Sequence, residues 1–149
     1  MTATASDPTG SRPMLVEIDF RVKTYDVDFA GIVSNLVYVR WLEDLRLKML
    51  DEYLPLEPEF RQGRGPVLAR TEIDYLRPLR FGDQAVGRMW LAGVRRASWS
   101  LRAEFTLHAQ LVARAVQVGV FVDYRTLKAL PVPDALRQHM ANGSPLGKR

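Results

Sequence analysis

Residues 25–43 read YDVDFAGIVSNLVYVRWLE, and this stretch decides the fold. An alternating strand precedes it, an acidic turn opens it, and an amphipathic helix fills its second half. The turn passes through Gly31, a residue type that adopts positive φ angles without steric cost. Ser34 suits the N-cap position because its hydroxyl can accept a hydrogen bond from a backbone N–H two or three residues later. We therefore predict a strand, a tight acidic turn and a helix that begins at about Ser34.

The helix is predicted to end near Tyr53 and to be buried along one side. The apolar residues on that side recur at helical spacing and are Tyr38, Trp41, Leu42, Leu45, Met49 and Tyr53. Three further apolar residues, Leu36, Val39 and Leu50, widen this stripe. We expect a helix with so wide an apolar arc to be wrapped by a sheet.

Strand patterns fill most of the remaining sequence. Alternation of apolar and polar residues predicts a strand at 16–24 and, after the helix, strands at 67–75, 86–94, 98–107 and 112–122. The last segment is apolar on both faces, which is typical of a central strand. The connection 53–66 is predicted to be a loop, and residues 131–140 a short helix. One long helix and consecutive strands joined by short turns predict an α+β fold with an antiparallel sheet.

Length and composition indicate a single soluble globular domain. The 149 residues contain no cysteine, which excludes disulfides and thiolate metal sites and favours a cytoplasmic location. We expect one domain at 14–140 between flexible tails at 1–13 and 141–149. No apolar run is long enough to span a membrane, so no membrane partner is predicted.

The net charge of +4 is spread along the chain, with Arg more frequent than Lys. No basic cluster alternates with aromatic residues on one element, as a nucleic-acid surface would require. We therefore predict no nucleic-acid partner. A small anionic ligand is the better match, because two or three arginines are enough to hold it.

A carboxylate that lies just ahead of a helix N-terminus predicts a hydrolytic site. The unpaired N–H groups of the helix can polarise a carbonyl, and the carboxylate can then act on it. Such a site needs no metal, no cofactor and no catalytic histidine, and we predict none of these. From the residues alone, Asp28 is equally well explained as the catalytic acid or as a helix cap. Asp26 is predicted to shape the turn.

Three motifs make the chain resemble a known family. They are YDVDFAGIV at 25–33, YVRWLE at 38–43 and IDYLRPLRFGD at 73–83. With weaker matches at 95–99 and in the closing strand, they resemble hotdog-fold thioesterases of the 4-hydroxybenzoyl-CoA thioesterase type. The resemblance implies a five-stranded antiparallel sheet wrapped around one long central helix. It also implies homo-oligomers, either dimers joined edge to edge through their sheets or tetramers of such dimers.

The resemblance also assigns roles to individual residues. Asp28 matches the catalytic aspartate, as nucleophile or as general base. The backbone N–H groups of Ser34 and Asn35 match the position that polarises the thioester carbonyl. Gly31 either permits a close approach of the backbone to the thioester or simply forms a tight turn.

The substrate-binding residues implied by the resemblance are Tyr38, Arg95 and Arg96. Tyr38 either lines the acyl site or belongs to the core. Arg95 and Arg96 either meet the phosphates of CoA or form a solvated hairpin turn. Glu43 is the fallback catalytic acid.

These features predict an enzyme that hydrolyses acyl-CoA to a carboxylic acid and CoA. Two alternatives stay open at this stage. The acyl group can come from an acyl carrier protein, or the chain can be a non-catalytic module that binds acyl-CoA.

Overall fold

The structure, a computed structural model, describes residues 10–143. It contains five strands, β1 (Val16–Arg21), β2 (Arg64–Tyr75), β3 (Gln84–Val94), β4 (Ser98–Leu107) and β5 (Gln110–Asp123). It also contains three α-helices, α1 (Asn35–Tyr53), α2 (Glu57–Arg61) and α3 (Asp134–Asn142). The predicted tail residues 1–9 and 144–149 lie outside the described residues.

All five strands form one antiparallel sheet in the order β1-β3-β4-β5-β2. The sheet therefore has β1 and β2 at its edges, and β5 is paired on both sides, as its apolar sequence predicts. The α+β architecture predicted from the sequence, a five-stranded sheet around one long helix, is confirmed.

Helix α1 packs its predicted stripe against the concave face of the sheet. Its buried residues are Val37, Tyr38, Trp41, Leu42, Leu45 and Met49. At the N-terminal half of the helix the packing is aromatic, with the ring of Phe20 stacked on Trp41 at a centroid distance of 4.8 Å. Phe105 is fully buried beside both rings, at 6.2 Å and 5.8 Å. These contacts fix the N-terminus of α1 against the end of the sheet where β1 leads into the acidic turn.

The sheet curves around the helix at three irregularities, between Leu68 and Arg70, Leu91 and Gly93, and Phe105 and Thr106. Such bulges bend strands and increase their twist. The close approach of Trp99 to β5 requires Gly119, since a Cβ at that position would lie 2.0 Å from the Trp99 ring.

The structure corrects several predicted boundaries. Strands β2, β3 and β5 each begin two or three residues earlier than predicted, at Arg64, Gln84 and Gln110. Strand β1 ends at Arg21 because a 3-10 turn follows at Thr24–Asp26. The segment 53–66 is not all loop, because it contains α2, which has Pro58 in its first turn and an ion pair between Arg61 and Glu57 at 2.6 Å. Helix α3 begins after Pro133 and extends to Asn142, past the predicted end at 140.

The residues that lead into β1 are attached to the outer face of the sheet. Arg12 lies over the Trp90 ring at 4.0 Å and forms an ion pair with Glu104 at 2.8 Å. The Pro13 carbonyl accepts a hydrogen bond from Leu91 N at 2.8 Å. Within residues 10–143, no helix is both long enough and apolar enough to cross a bilayer.

Candidate functional site

The acidic turn is a small hairpin that leads directly into α1. Val27 and Val33 pair as an isolated antiparallel bridge, and Asp28 N donates to Ile32 O at 2.9 Å. Gly31 N donates back to Asp28 O at 2.9 Å, and Gly31 has a φ of +77°. A residue with a Cβ would be strained in that conformation, so glycine is what allows the reversal. The hairpin holds Asp28 at the tip, within a few residues of the helix N-terminus.

The two aspartates of the turn have different surroundings. Asp26 is 7% exposed, and its Oδ2 accepts a hydrogen bond from Lys23 N at 2.9 Å. Asp28 is exposed, and its Oδ1 accepts from Ala30 N at 2.8 Å. Within residues 10–143 no hydrogen-bond donor occupies Oδ2 of Asp28. Asp26 is therefore held inside the turn, whereas Asp28 presents an oriented carboxylate with one oxygen open to a ligand.

At the helix N-terminus the two predicted backbone donors differ. Ser34 is the N-cap, as predicted, and its Oγ accepts from Leu36 N at 3.4 Å. Its own N–H already donates to Asp26 O at 2.9 Å. The N–H of Asn35 has no partner among residues 10–143. Of the predicted pair, only Asn35 N–H is free to donate to a carbonyl oxygen, and the positive end of the helix dipole lies at the same point.

Two tyrosines pack edge to face beside this helix N-terminus. Tyr38 is 3% exposed and lies 5.4 Å from the ring of Tyr75. Burial, and secondarily the nearby Tyr75 hydroxyl, raises the pKa of Tyr38 to about 12. Tyr75 is 44% exposed, and its hydroxyl donates to Asn35 O at 3.4 Å. Tyr38 is therefore part of the buried core, the second of its two predicted readings, and Tyr75 presents the exposed ring beside it.

The structure does not bring Arg95 and Arg96 close to Asp28 within one chain. Both arginines are exposed in the turn between β3 and β4. The acidic turn is attached at the opposite end of β3, where Val22 N donates to Asp83 O at 2.8 Å. Eleven strand residues separate these ends, a span of about 35 Å. Only a second subunit or a long ligand can connect the two places.

Other basic residues lie at the acidic turn itself. Arg80 pairs with Ile32 as an isolated bridge, and Lys23 lies with its Nζ 5.9 Å from the Tyr25 ring. Tyr75 and Arg80 belong to the IDYLRPLRFGD motif, but the sequence pattern predicts no site role for either residue. The available signal was their position on either side of segment 76–79, which connects edge strand β2 to β3, the neighbour of β1.

This geometry combines the elements of acyl-transfer chemistry. Asn35 N–H can bind a carbonyl oxygen, and the open Oδ2 of Asp28 can attack the carbonyl carbon or remove a proton from water. Lys23 and Arg80 belong to the residues that lead into the turn or pair with it, and Tyr75 contacts the first residue of α1. The remaining question is which class of acyl compound such a site serves.

Comparison with known protein families identifies that class. Residues 22–140 match the Thioesterase-like superfamily, and this range includes the acidic turn, α1 and all strands after β1. The chain belongs to the Thioesterase-like superfamily. Thioester hydrolysis is therefore the chemistry of its family, as the resemblance in the sequence indicated.

Solved structures of thioesterases show that this chain has the hotdog fold. A 1,4-dihydroxy-2-naphthoyl-CoA thioesterase from Synechocystis superposes with a TM-score of 0.77 at 20% identity, over 86% of this chain and 96% of that one. A thioesterase from Thermus thermophilus, solved with coenzyme A and Zn, superposes with a TM-score of 0.73 at 25% identity, over 92% and 96% of the two chains.

A curated sequence matches over a shorter range than the solved structures do. An acyl-acyl carrier protein thioesterase from the chloroplast of Arabidopsis thaliana is 27% identical over 82 residues. The match covers 54% of this chain and 43% of the relative. The chain thus matches less than half the length of that relative.

Proposed function

We propose that the protein hydrolyses acyl-CoA thioesters to a carboxylic acid and CoA, with Asp28 as the catalytic aspartate that acts as general base or nucleophile. The observation that carries the proposal is an open Oδ2 of Asp28 at the tip of a hairpin that leads into α1, whose first N–H, that of Asn35, is unpaired among residues 10–143. Coenzyme A as the carrier is supported by the names of the structural neighbours, one of which acts on a naphthoyl-CoA and another of which was solved with coenzyme A.

The mechanism begins with the thioester carbonyl oxygen accepting a hydrogen bond from Asn35 N–H. Acting as a base, Asp28 removes a proton from water, and the hydroxide adds to the carbonyl carbon. The tetrahedral oxyanion is stabilised by Asn35 N–H and the helix dipole. Its collapse breaks the C–S bond, and the departing CoA thiolate takes the proton from Asp28.

The second route uses Asp28 as the nucleophile. Its carboxylate forms a mixed anhydride with the acyl group and releases CoA, and water then hydrolyses the anhydride. Ser34 and Gly31 support both routes through the backbone, since one caps the helix and the other allows the turn. After a single turnover in ¹⁸O-labelled water, label in Asp28 indicates this route.

The nucleotide of CoA is proposed to be held by arginines. Arg95 and Arg96 are exposed and can bind phosphate from a second subunit, whereas Arg80 lies at the acidic turn of the same chain. Arg95→Ala with Arg96→Ala is expected to raise KM several-fold and leave kcat near its native value. An unchanged KM in this double variant, together with a raised KM in Arg80→Ala, assigns the phosphates to the acidic turn instead.

We propose that the subunit forms homo-oligomers through the free edge of β2. Unlike the short β1, this edge strand is 12 residues long and carries exposed apolar side chains, with Val67 and Leu68 each 37% exposed and Tyr75 44% exposed. A long apolar edge is a template for pairing with another strand. Pairing two β2 edges continues the sheet, and further association of dimers gives a tetramer.

The reaction is tested by release of free thiol from a panel of acyl-CoAs that covers aromatic, short, medium and long acyl groups. Because the protein has no cysteine, a thiol-reactive dye reports only the released CoA. Acyl carrier protein thioesters with the same acyl groups are assayed in parallel, because the Arabidopsis relative is named for that carrier. Turnover of acyl-CoA supports the proposal. Turnover of the carrier-bound thioesters alone would identify acyl carrier protein thioesters as the substrates instead.

If the protein turns over neither acyl-CoA nor carrier-bound thioesters, the remaining alternative is a non-catalytic module that binds acyl-CoA. A binding module would bind acyl-CoA with the same affinity whether or not Asp28 is replaced.

We also propose a cytoplasmic location, which the absence of cysteine from the sequence supports. Fractionation of the source cells tests the location directly.

A further inference from the structure

A cavity that is partly open to solvent lies beneath the C-terminal half of α1, away from the acidic turn. Its volume is about 190 Å³. Apolar side chains line most of it, chiefly Met49, Leu50, Leu54, Leu56, Leu101 and Phe121. Met49 follows Asn35 by fourteen helical residues, a distance of about 20 Å along the axis. The cavity is therefore separate from the site proposed for thioester hydrolysis.

Arg46 brings a positive charge to this apolar cavity. It is half-buried and lines the cavity, and its Nη1 donates to Gln117 Oε1 at 2.7 Å. Gln117 is 1% exposed and donates in turn to Thr71 Oγ1 at 3.1 Å. Gln117 thus fixes the direction of the guanidinium but uses only one of its five N–H donors.

The charge of Arg46 is not matched by an ion pair. Among residues 10–143, no Asp or Glu forms a salt bridge with it, and Glu43 acts on it only from farther away. Burial lowers the pKa of Arg46, while Glu43 opposes that shift. An arginine nevertheless stays protonated in proteins, so a half-buried cation remains beside an apolar space. A bound anion at this point would offset the cost of desolvating the guanidinium.

Trp99 lies on the same cavity wall. Its side chain is 8% exposed and lines the cavity, whereas its Nε1 is closed off from solvent and has no hydrogen-bond partner among residues 10–143. The indole ring therefore contributes apolar surface to the wall, and the guanidinium of Arg46 is the polar group that the cavity presents. A ligand that matches this cavity must supply an acceptor for Arg46 and an apolar body.

We propose that this cavity binds a small monocarboxylic acid, with its carboxylate on Arg46 and its hydrocarbon part in the apolar space. A carboxylate matches the fork of a guanidinium, which can donate two parallel N–H bonds. A protein cavity of about 150 Å³ accommodates benzene, so the space here corresponds to a hydrocarbon part of about six to eight carbons. The ligand belongs to the same class as the product of thioester hydrolysis. The binding itself does not depend on turnover.

Octanoate is the probe, and isothermal titration calorimetry on the full-length protein is the measurement. We expect one octanoate per chain and at least tenfold weaker binding of octylamine, whose charge Arg46 repels. Arg46→Met should weaken octanoate binding by roughly ten- to a hundredfold, the effect of losing a charge-assisted hydrogen bond. The matched control is Arg40→Met, on an exposed part of the same helix, and it should bind octanoate like the native protein.

Further variants separate this cavity from the hydrolytic site. Leu50 lines the cavity and is only partly buried, so Leu50→Trp should fill the cavity with a larger side chain. This variant should abolish binding of octanoate and of octan-1-ol, the uncharged analogue that occupies the same apolar space. Asp28→Asn should bind octanoate with native affinity, because Asp28 lies at the other end of α1. A native-like fold in each variant is checked by circular dichroism.

Nuclear magnetic resonance supplies a readout at the cavity wall itself. The protein has three tryptophans, so its indole N–H spectrum is simple, and Trp99→Phe identifies the Trp99 signal. Octanoate should shift that signal, and Arg46→Met should reduce the shift at equal ligand concentration. The proposal is overturned if native protein does not bind octanoate at millimolar concentration. It is also overturned if folded Arg46→Met and Leu50→Trp both bind octanoate with native affinity.

Discussion

At the scale of single residues, the difference between Asp26 and Asp28 lies in which atoms are already bonded. Asp26 uses its carboxylate to bind Lys23 N and its carbonyl to bind Ser34 N. Asp28 uses one carboxylate oxygen within the turn and leaves the other open. The sequence places both acids in the turn and cannot reveal these bonds, because they depend on the φ and ψ angles of the residues between them. For the same reason, the sequence does not show that the N–H of Ser34 is already bonded to Asp26 O.

A second residue-scale consequence concerns the stability of the protein at high pH. The pKa of Tyr38 is raised from its ordinary value of 10.0 to about 12 in the folded protein. As the pH rises through 10, the unfolded chain loses this proton first, so unfolding becomes more favourable until the pH reaches about 12. The loss attributable to Tyr38 is about 2 kcal/mol over this interval.

Tyr38→Phe is predicted to remove that part of the pH dependence. Urea unfolding at several pH values between 9 and 12 should show a shallower decline for Tyr38→Phe than for the native protein. Tyr25→Phe is the control, because Tyr25 is 74% exposed and its substitution should leave the slope unchanged. Equal slopes for the native and Tyr38→Phe proteins would contradict the burial of the Tyr38 hydroxyl as the cause.

At the scale of elements, the long helix and the alternating strands were predictable because their patterns are local and repeat many times. The N-cap at Ser34 and the end of α1 at Tyr53 both agree with the structure. Helix α2 was missed because it has only five residues, too few for a periodic signal, and Pro and Gly around it indicate a loop. The strand order β1-β3-β4-β5-β2 is not local information, since β1 pairs across the sheet with a strand more than sixty residues later.

Packing between β4 and β5 gives a prediction at this scale. Gly119→Ala would place a Cβ 2.0 Å from the Trp99 ring, so the ring or the strand must move. We expect a loss of about 2 kcal/mol in the free energy of unfolding, as is typical for an overpacked core. Gly93→Ala is the matched control and should cost less, because its Cβ would meet only the Ser100 hydroxyl, at 2.8 Å.

Chemical denaturation of the two glycine variants measures both changes. Trp99→Phe combined with Gly119→Ala should recover part of the lost stability, since the smaller ring leaves space for the methyl group. A Gly119→Ala variant as stable as the native protein would show that Trp99 does not pack against this position.

At the scale of the whole molecule, the exposed apolar residues are unevenly distributed. Several lie on edge strand β2, Leu36 on α1 is 70% exposed, and Phe29 in the acidic turn is fully exposed. In an oligomer such residues can be covered by the partner. Oligomerisation would also allow Arg95 and Arg96 to approach the acidic turn of another chain, whereas both lie about 35 Å from the turn of their own chain.

The oligomer is predicted to dissociate when charge is introduced at the β2 edge. Val67→Lys places a cation on the exposed apolar edge and should shift the protein toward monomer in size-exclusion chromatography with light scattering. Leu47→Lys is the control, because Leu47 is also exposed, at 56%, but lies on α1. If β2 forms the interface, Val67→Lys should also lower turnover. An unchanged oligomer in Val67→Lys and a dissociated one in Leu47→Lys would place the interface on the helix.

The most direct test of the central claim is the rate of acyl-CoA hydrolysis by Asp28→Asn. The amide oxygen of asparagine can still accept the hydrogen bond from Ala30 N, so the turn is retained while the basic oxygen is lost. The control is Asp51→Asn, which removes the same charge at an exposed position on α1. We predict that kcat falls by at least about a hundredfold in Asp28→Asn, as expected for loss of a general base. Asp51→Asn should keep native turnover. Native turnover in a correctly folded Asp28→Asn would contradict the assignment of Asp28 and direct attention to Glu43.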